Sequence, residues 1–210
     1  MNRDAKFRPQ ATTHTGSGDA LLMRTPGHTP VIIRPFMSDD AAAVRALFIA
    51  VNRLIAPAHM VDRFQDYITR ALREEIDVIA SYYAARGGQF FVATAANKLI
   101  GMFGFELAEP GVAELRRMYV DPRFRRCGLG RDMLARAETE VINAGCTRLI
   151  LSTSELQAPA LALYRNAGYC ETRQEITTQA TNKTLGGTIR RFHLEKTFCR
   201  DGESGAAGGK

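Results

Sequence analysis

Nothing in this sequence is suited to crossing a membrane or to secretion. Nowhere do its 210 residues contain the run of about 18 unbroken apolar residues that a spanning helix needs. Met1 to Pro30 lacks the apolar segment of a secretory signal, so a cytoplasmic location is expected. Cysteine is sparse. Cys127, Cys146, Cys170 and Cys199 stand far apart without a Cys-x-x-Cys pair, which argues against a zinc site and for reduced thiols. The histidines at 14, 28, 59 and 193 are equally scattered, so no metal is expected. No segment repeats.

What is present is the composition of an ordinary globular domain, 45% hydrophobic and 24% charged. The net charge is +6, which suits a partner such as nucleic acid, a membrane surface or a phosphorylated small molecule. Its distribution is informative. Arginines at 116, 117, 123, 125, 126 and 131 crowd one segment against a single acid, Asp121. By itself such a run is equally well a solvated face, but here it surrounds a glycine turn.

Between a Thr/Gly/Pro-rich leader (1–28) and a Gly/Ala-rich tail (200–210), one domain is expected over 29–199. Val31-Ile32-Ile33 reads as a strand, and Ser38 or Asp39 caps a helix with Val44, Leu47, Phe48 and Val51 on one face. A longer helical pattern runs from Met60 to Tyr83 and stops at Gly87-Gly88. Phe90–Thr94 and Leu99–Phe105 form a hairpin around Asn97-Lys98, and Glu114–Val120 is a further strand. A helix over Leu129–Asn143 leads to a strand at Leu149–Leu151, which must run parallel to the one before it. A short helix over Pro159–Asn166 and strands near Tyr169–Arg173 and Ile189–Phe198 complete the order β-α-α-β-β-β-α-β-α-β-β. The fold class is therefore α/β: a mixed, mostly antiparallel sheet with helices on both faces and a parallel pair at its fourth and fifth strands.

A glycine turn feeding a helix presents unpaired N–H groups and the positive end of the helix dipole, an anion site suited to phosphate. At Cys127-Gly128-Leu129-Gly130 the glycines let backbone approach a ligand without a Cβ in the way. No Gly-Lys-Ser/Thr follows, and Met133 stands where a dinucleotide fingerprint needs its third glycine. Alone, the turn is no more than a helix cap.

The wider pattern, Arg125-x-x-Gly128-x-Gly130, resembles the Gln/Arg-x-x-Gly-x-Gly/Ala signature of the GNAT superfamily of acetyl-CoA-dependent N-acetyltransferases. A second block, Gln157-x-x-Ala160-x-x-Leu163-Tyr164-Arg165-x-x-Gly168-Tyr169, is similar to that family's Asn-x-x-Ala-x-x-Leu-Tyr-x-x-x-Gly-Phe/Tyr, with Gln157 replacing the usual Asn. The resemblance covers about residues 31–198 and implies the GNAT fold. It also implies acetyl-CoA as co-substrate. Its pyrophosphate would lie on Arg125, Arg126, Cys127, Gly128, Leu129, Gly130 and Arg131, and its acetyl-pantetheine arm along Met118, Tyr119, Val120 and Gln157.

Acetylating an aliphatic amine requires two proton movements. With a pKa near 10.4, only about one amine in a thousand is free base at pH 7; a carboxylate, directly or through water, can remove the surplus proton before attack. Glu114 stands eleven residues before Arg125, the offset of the basic glutamate in the family's histone-acetyltransferase branch. Its plainer role is a surface pair with Arg116 or Arg117. Tyr164 occupies the family's general-acid position, where it would protonate the departing CoA thiolate; a packing tyrosine is the alternative. Cys127 contributes its amide rather than a nucleophilic thiol. The expected partner is a small-molecule amine, with neither membrane nor nucleic acid, and a homodimer is left open. Glu74, Glu75 and Asp77 could attract a cationic amine, but an acidic helix face is more often solvated, and they are read as such a face. Ser152–Gln157 is similar to a stretch of the cysteine-conjugate and aspartate N-acetyltransferase branch. A protein acetyltransferase and a non-catalytic acyl-CoA sensor remain alternatives.

Overall fold

The computed structural model describes residues 21–24, 30–186 and 189–199. The expected tail, and the expected leader apart from 21–24, lie outside the described residues. The elements are β1 (Leu21–Arg24), β2 (Pro30–Pro35), α1 (Ala41–Ile55), α2 (Val61–Glu74), α3 (Ile79–Ala84), β3 (Gln89–Ala95), β4 (Lys98–Glu109), β5 (Val112–Val120), α4 (Leu129–Asn143), β6 (Arg148–Ser154), α5 (Ala158–Asn166), β7 (Cys170–Ile176) and β8 (Arg190–Thr197). None of the described helices is long and apolar enough to cross a membrane.

The strands form one sheet in the order β1-β2-β3-β4-β5-β6-β8-β7, antiparallel everywhere except between β5 and β6. This is the expected mixed sheet with one added edge strand. Leu21–Arg24 falls inside the expected leader and pairs antiparallel with β2, so the leader is not wholly irregular. Only the short apolar run Leu21-Leu22-Met23 hinted at it.

Alternation along the strands assigns the two faces. Phe91, Ala93, Phe103, Phe105, Ala113 and Leu115 pack with Leu129, Met133, Leu134, Ala137 and Val141 of α4 and with Leu161 and Tyr164 of α5. Phe90, Val92 and Met102 face the other way and pack with Val44, Phe48, Ile68, Ala71 and Tyr83 of α1–α3. Period-2 strands between helices with period-3.6 stripes produce this three-layer core.

Three local expectations are corrected. The hairpin turn is Ala96-Asn97, both at positive φ (46° and 59°), and Lys98 already opens β4. Two left-handed residues in a two-residue loop match the twist of the strands. At the start of α1, neither Ser38 nor Asp39 provides the cap. The carboxylate of Asp40 accepts from the Met37 N–H at 2.8 Å and from both terminal nitrogens of Arg34 at 2.7 and 2.8 Å. The long pattern from Met60 to Tyr83 is two helices, broken at Glu75 (φ −145°, ψ −59°), whose side chain is wholly buried.

Candidate active site

β5 and β6 pair only at Val112↔Arg148, Ala113↔Leu149 and Glu114↔Ile150. Beyond these, β5 stays on β4 as far as Val120 and β6 stays on β8 as far as Ser154, so a wedge with two unpaired edges opens between them. A bulge shapes its β5 side. Tyr119 and Arg116 pair with Met102 and Gly104, leaving Arg117 and Met118 opposite the single residue Phe103. Arg117 takes a left-handed φ of 54° at this bulge.

The glycine turn lies at the end of β5. Left-handed backbone at Arg126 (61°) and Gly128 (88°) curls the segment into the first turn of α4, where the amides of Arg131 and Asp132 return to the Gly128 carbonyl at 2.9 and 3.1 Å. No hydrogen bond among the described residues uses the amides of Arg126, Cys127, Gly128, Leu129 or Gly130. Five consecutive free donors at a helix N-terminus form an anion cradle. Arg125, Arg126 and Arg131 around it are exposed and, among the described residues, form no ion pair, whereas Arg123 is held by Asp121 at 2.7 Å. The Cys127 thiol donates to the Phe124 carbonyl at 2.8 Å, which leaves its amide as its contribution. A Cβ on Gly130 would lie 3.4 Å from the end of the Leu163 side chain, an ordinary contact, so packing alone does not demand glycine there. Free amides, unpaired cations and an open wedge fit a diphosphate with a slender arm. Gln157 stands beyond β6, its Oε1 accepting from the Thr153 hydroxyl at 3.2 Å.

The opposite face of the sheet is ionic. Glu114 and Arg116 alternate with Ala113 and Leu115 and therefore point away from α4. Glu106 lies directly across from Glu114 in the β4–β5 register. Two carboxylates so placed repel unless a cation joins them. Lys183, from the loop between β7 and β8, does so: its Nζ lies 2.6 Å from Glu114 and 2.8 Å from Glu106. Arg116 is 3.4 Å from Glu106 and 4.0 Å from Glu114. Tyr67, Tyr119, Ser152, Gln157 and Arg191 line the same cleft.

Beneath it lies Glu75. Its carboxylate meets Arg116 at 2.5 Å and Arg117 at 2.7 Å and accepts from the Tyr83 hydroxyl at 2.7 Å. Burial alone would raise its pKa; the guanidiniums of Arg117 and Arg116 reverse that and hold it at about 2. Arg117 also donates to the Tyr67 hydroxyl and, at 2.6 Å, to the Asn182 carbonyl. The expected solvated acidic face is thus divided. Glu74 pairs with exposed Arg73 and Asp77 with Arg45, while Glu75 turns inward and breaks the helix.

Tyr164 lies on the α4 side, buried, with its ring edge-on to Tyr169 at 5.9 Å. Burial raises its pKa, so its hydroxyl stays protonated at neutral pH. Glu114, on β5, and Tyr164, on α5, therefore lie on opposite sides of the sheet.

Residues 54–169, more than half of the chain, match the profile of the Acetyltransferase (GNAT) family. The chain belongs to that family. It is 30% identical over 115 residues to human N-acetyltransferase 8, covering 52% of this chain and 51% of that one. It is 36% identical over 84 residues to an IAA acetyltransferase of Azospirillum brasilense, covering 40% and 55%. The chain thus spans about half the length of these curated relatives. Among solved structures, the GNAT fold is matched by yncA of Salmonella typhimurium, solved with its cofactor acetyl-CoA (TM-score 0.62, 19% identity, 84% of this chain and 99% of that one). It is matched equally by a PaiA N-acetyltransferase of Thermoplasma acidophilum in complex with coenzyme A (TM-score 0.61, 18% identity, 80% and 99%).

Of the site residues expected from sequence, Tyr119 and Gln157 line one cleft with Glu114, and the turn follows the end of β5. Glu106, Lys183 and Arg191 join the cleft without having been expected from the sequence. Counting back across the Pro110-Gly111 turn would place Leu107 opposite Glu114; the irregularity between Leu107 and Glu109 shifts the register and brings Glu106 there instead. The other two come from chain more than 60 residues away and carry no local signal.

Proposed function

We propose that this chain transfers the acetyl group of acetyl-CoA to the primary amine of a small molecule, by direct attack of the amine while both are bound. The observation that carries the reading is a pair of complementary sites on one wedge: five free amides and three unpaired arginines at its mouth, and an acidic site for an ammonium on its far face. Acetyl-CoA, when bound, supplies the activated thioester. Arg125, Arg126 and Arg131 neutralise its phosphates while the amides of residues 126–130 hold them. Met118, Tyr119 and Val120 offer the unpaired edge of β5 to the arm, and Gln157 faces it from the β6 side.

Glu114 receives the amine's proton. Its carboxylate engages Lys183, so an incoming ammonium takes over the position that Lys183 Nζ holds. Tyr164 assists departure of the thiolate from the other face. A phenol raised above its ordinary value near 10 is a weaker acid than a thiol near 8.5. Its hydroxyl therefore stabilises the leaving sulfur chiefly as a hydrogen-bond donor. Thiol release from acetyl-CoA, measured against a panel of small amines, should depend on the amine. Acetyl-CoA binding without thiol release for any amine would contradict transfer and leave a binding module.

A further inference from the structure

Lys183 is a primary amine already seated where an acceptor's amine should sit. Its Nζ is 2.6 Å from Glu114 Oε2, inside the 2.6–3.2 Å reach that a general base needs to take a proton. The Glu106–Glu114 pair around it is an ammonium receptor assembled by strand register rather than by the loop. The loop is held to the body of the protein just before the lysine and closes on itself around it. The Asn182 carbonyl accepts from Arg117 at 2.6 Å, and Thr181 and Thr184 join through an amide–carbonyl bond at 2.9 Å. Lys183 also lines a second hollow with Tyr119 and Gln157, the residues assigned to the cofactor arm. Among the described residues the other lysines, Lys98 and Lys196, lie elsewhere: Lys98 opens β4, and Lys196 pairs with Glu138 of α4 at 3.0 Å.

We infer that Lys183 is a site of self-acetylation, modified in cis by the chain's own acetyl-CoA; this rests on the acetyltransferase reading above. The step balances. Nζ gives one proton to Glu114 and attacks the thioester carbonyl, the new C–N bond forms, and the C–S bond breaks. CoA departs as a thiolate, which takes up the second proton that the nitrogen loses on becoming an amide. The product is a neutral amide, which can no longer bridge Glu106 and Glu114, so the modification frees the proposed base for an external amine.

The test incubates the full chain with acetyl-CoA and follows acetylation of each lysine by peptide mass spectrometry at several protein concentrations. Lys183 should be modified at a rate independent of protein concentration and at least about 100-fold faster than Lys98 and Lys196, as expected for a positioned amine. Lys183→Arg, folded like the parent chain by circular dichroism, should lack this fast phase. Lys183 labelling no faster than Lys98 and Lys196, or at a rate rising with protein concentration, would overturn the inference. Acetyl-CoA binding and amine-dependent thiol release, measured on the same preparation, separate the two claims. If both persist while Lys183 stays unmodified, only self-acetylation fails; if neither occurs, the underlying reading fails with it.

Discussion

At the scale of single residues, the account depends on two side chains on opposite faces of the sheet. Glu114→Gln keeps size and hydrogen bonding but cannot accept a proton. The rate at neutral pH should fall about 10²-fold or more and recover in part as the pH rises and solution supplies free amine. An aromatic amine acceptor, already neutral at pH 7, should be nearly indifferent. A pH–rate series comparing both acceptors measures this; similar rates for variant and parent at every pH would make Glu114 only the anchor of Lys183. Tyr164→Phe should lower kcat about tenfold and leave the Kd for acetyl-CoA unchanged, because the buried phenol assists by hydrogen bonding rather than by full proton transfer. Single-turnover kinetics isolate the step, and an unchanged rate of acetyl transfer would return Tyr164 to packing. Both residues were visible in the sequence because each sits at a fixed offset from a motif. Their electrostatic partners were not, since Lys183 meets Glu114 across 69 residues of chain.

At the scale of elements, the break between α2 and α3 shows why periodicity alone misled. Apolar spacing continues through Ile76 and Ile79, but Glu75 turns inward to Arg116 and Arg117, and that charge pairing overrides helical continuity. The pKa of Glu75 in the folded chain lies below its ordinary value of 4.5. The stabilisation it provides is therefore complete above about pH 4.5 and is lost as the pH falls toward 2. Glu75→Gln leaves two buried guanidiniums without their carboxylate and should cost about 3–5 kcal/mol. Denaturant unfolding as a function of pH should show that loss near neutrality and a shallower acid slope in the variant. A change below about 0.5 kcal/mol would show that the network is not holding the α2–α3 junction. By contrast, α4 runs over Leu129–Asn143, as expected from the sequence, because the glycines flanking it at 128 and 145 agree locally with its apolar stripe.

At the scale of the whole molecule, the sheet divides two charge environments. One end of the wedge is cationic and presents free amides; the far face balances Glu75, Glu106 and Glu114 against Arg116, Arg117 and Lys183. The parallel β5–β6 pair between them was legible from the intervening helix, whereas the splay after Glu114 and the bulge at Arg117 depend on pairing that no local sequence states. The measurement that bears most directly on this account is calorimetric titration of acetyl-CoA, with EDTA present, into the parent chain and into Gly128→Val. Gly128 has a φ of 88°, and the space beside it is open, its nearest neighbour being an arginine terminus 3.6 Å from an added Cβ. Valine there strains the turn and fills the cradle, so stability should fall modestly while binding is lost. The parent should bind without metal, and Gly128→Val, still folded by circular dichroism, should bind at least about tenfold more weakly. Equal affinity in the two chains, or a strict need for metal in the parent, would contradict the assignment of the turn as the phosphate site.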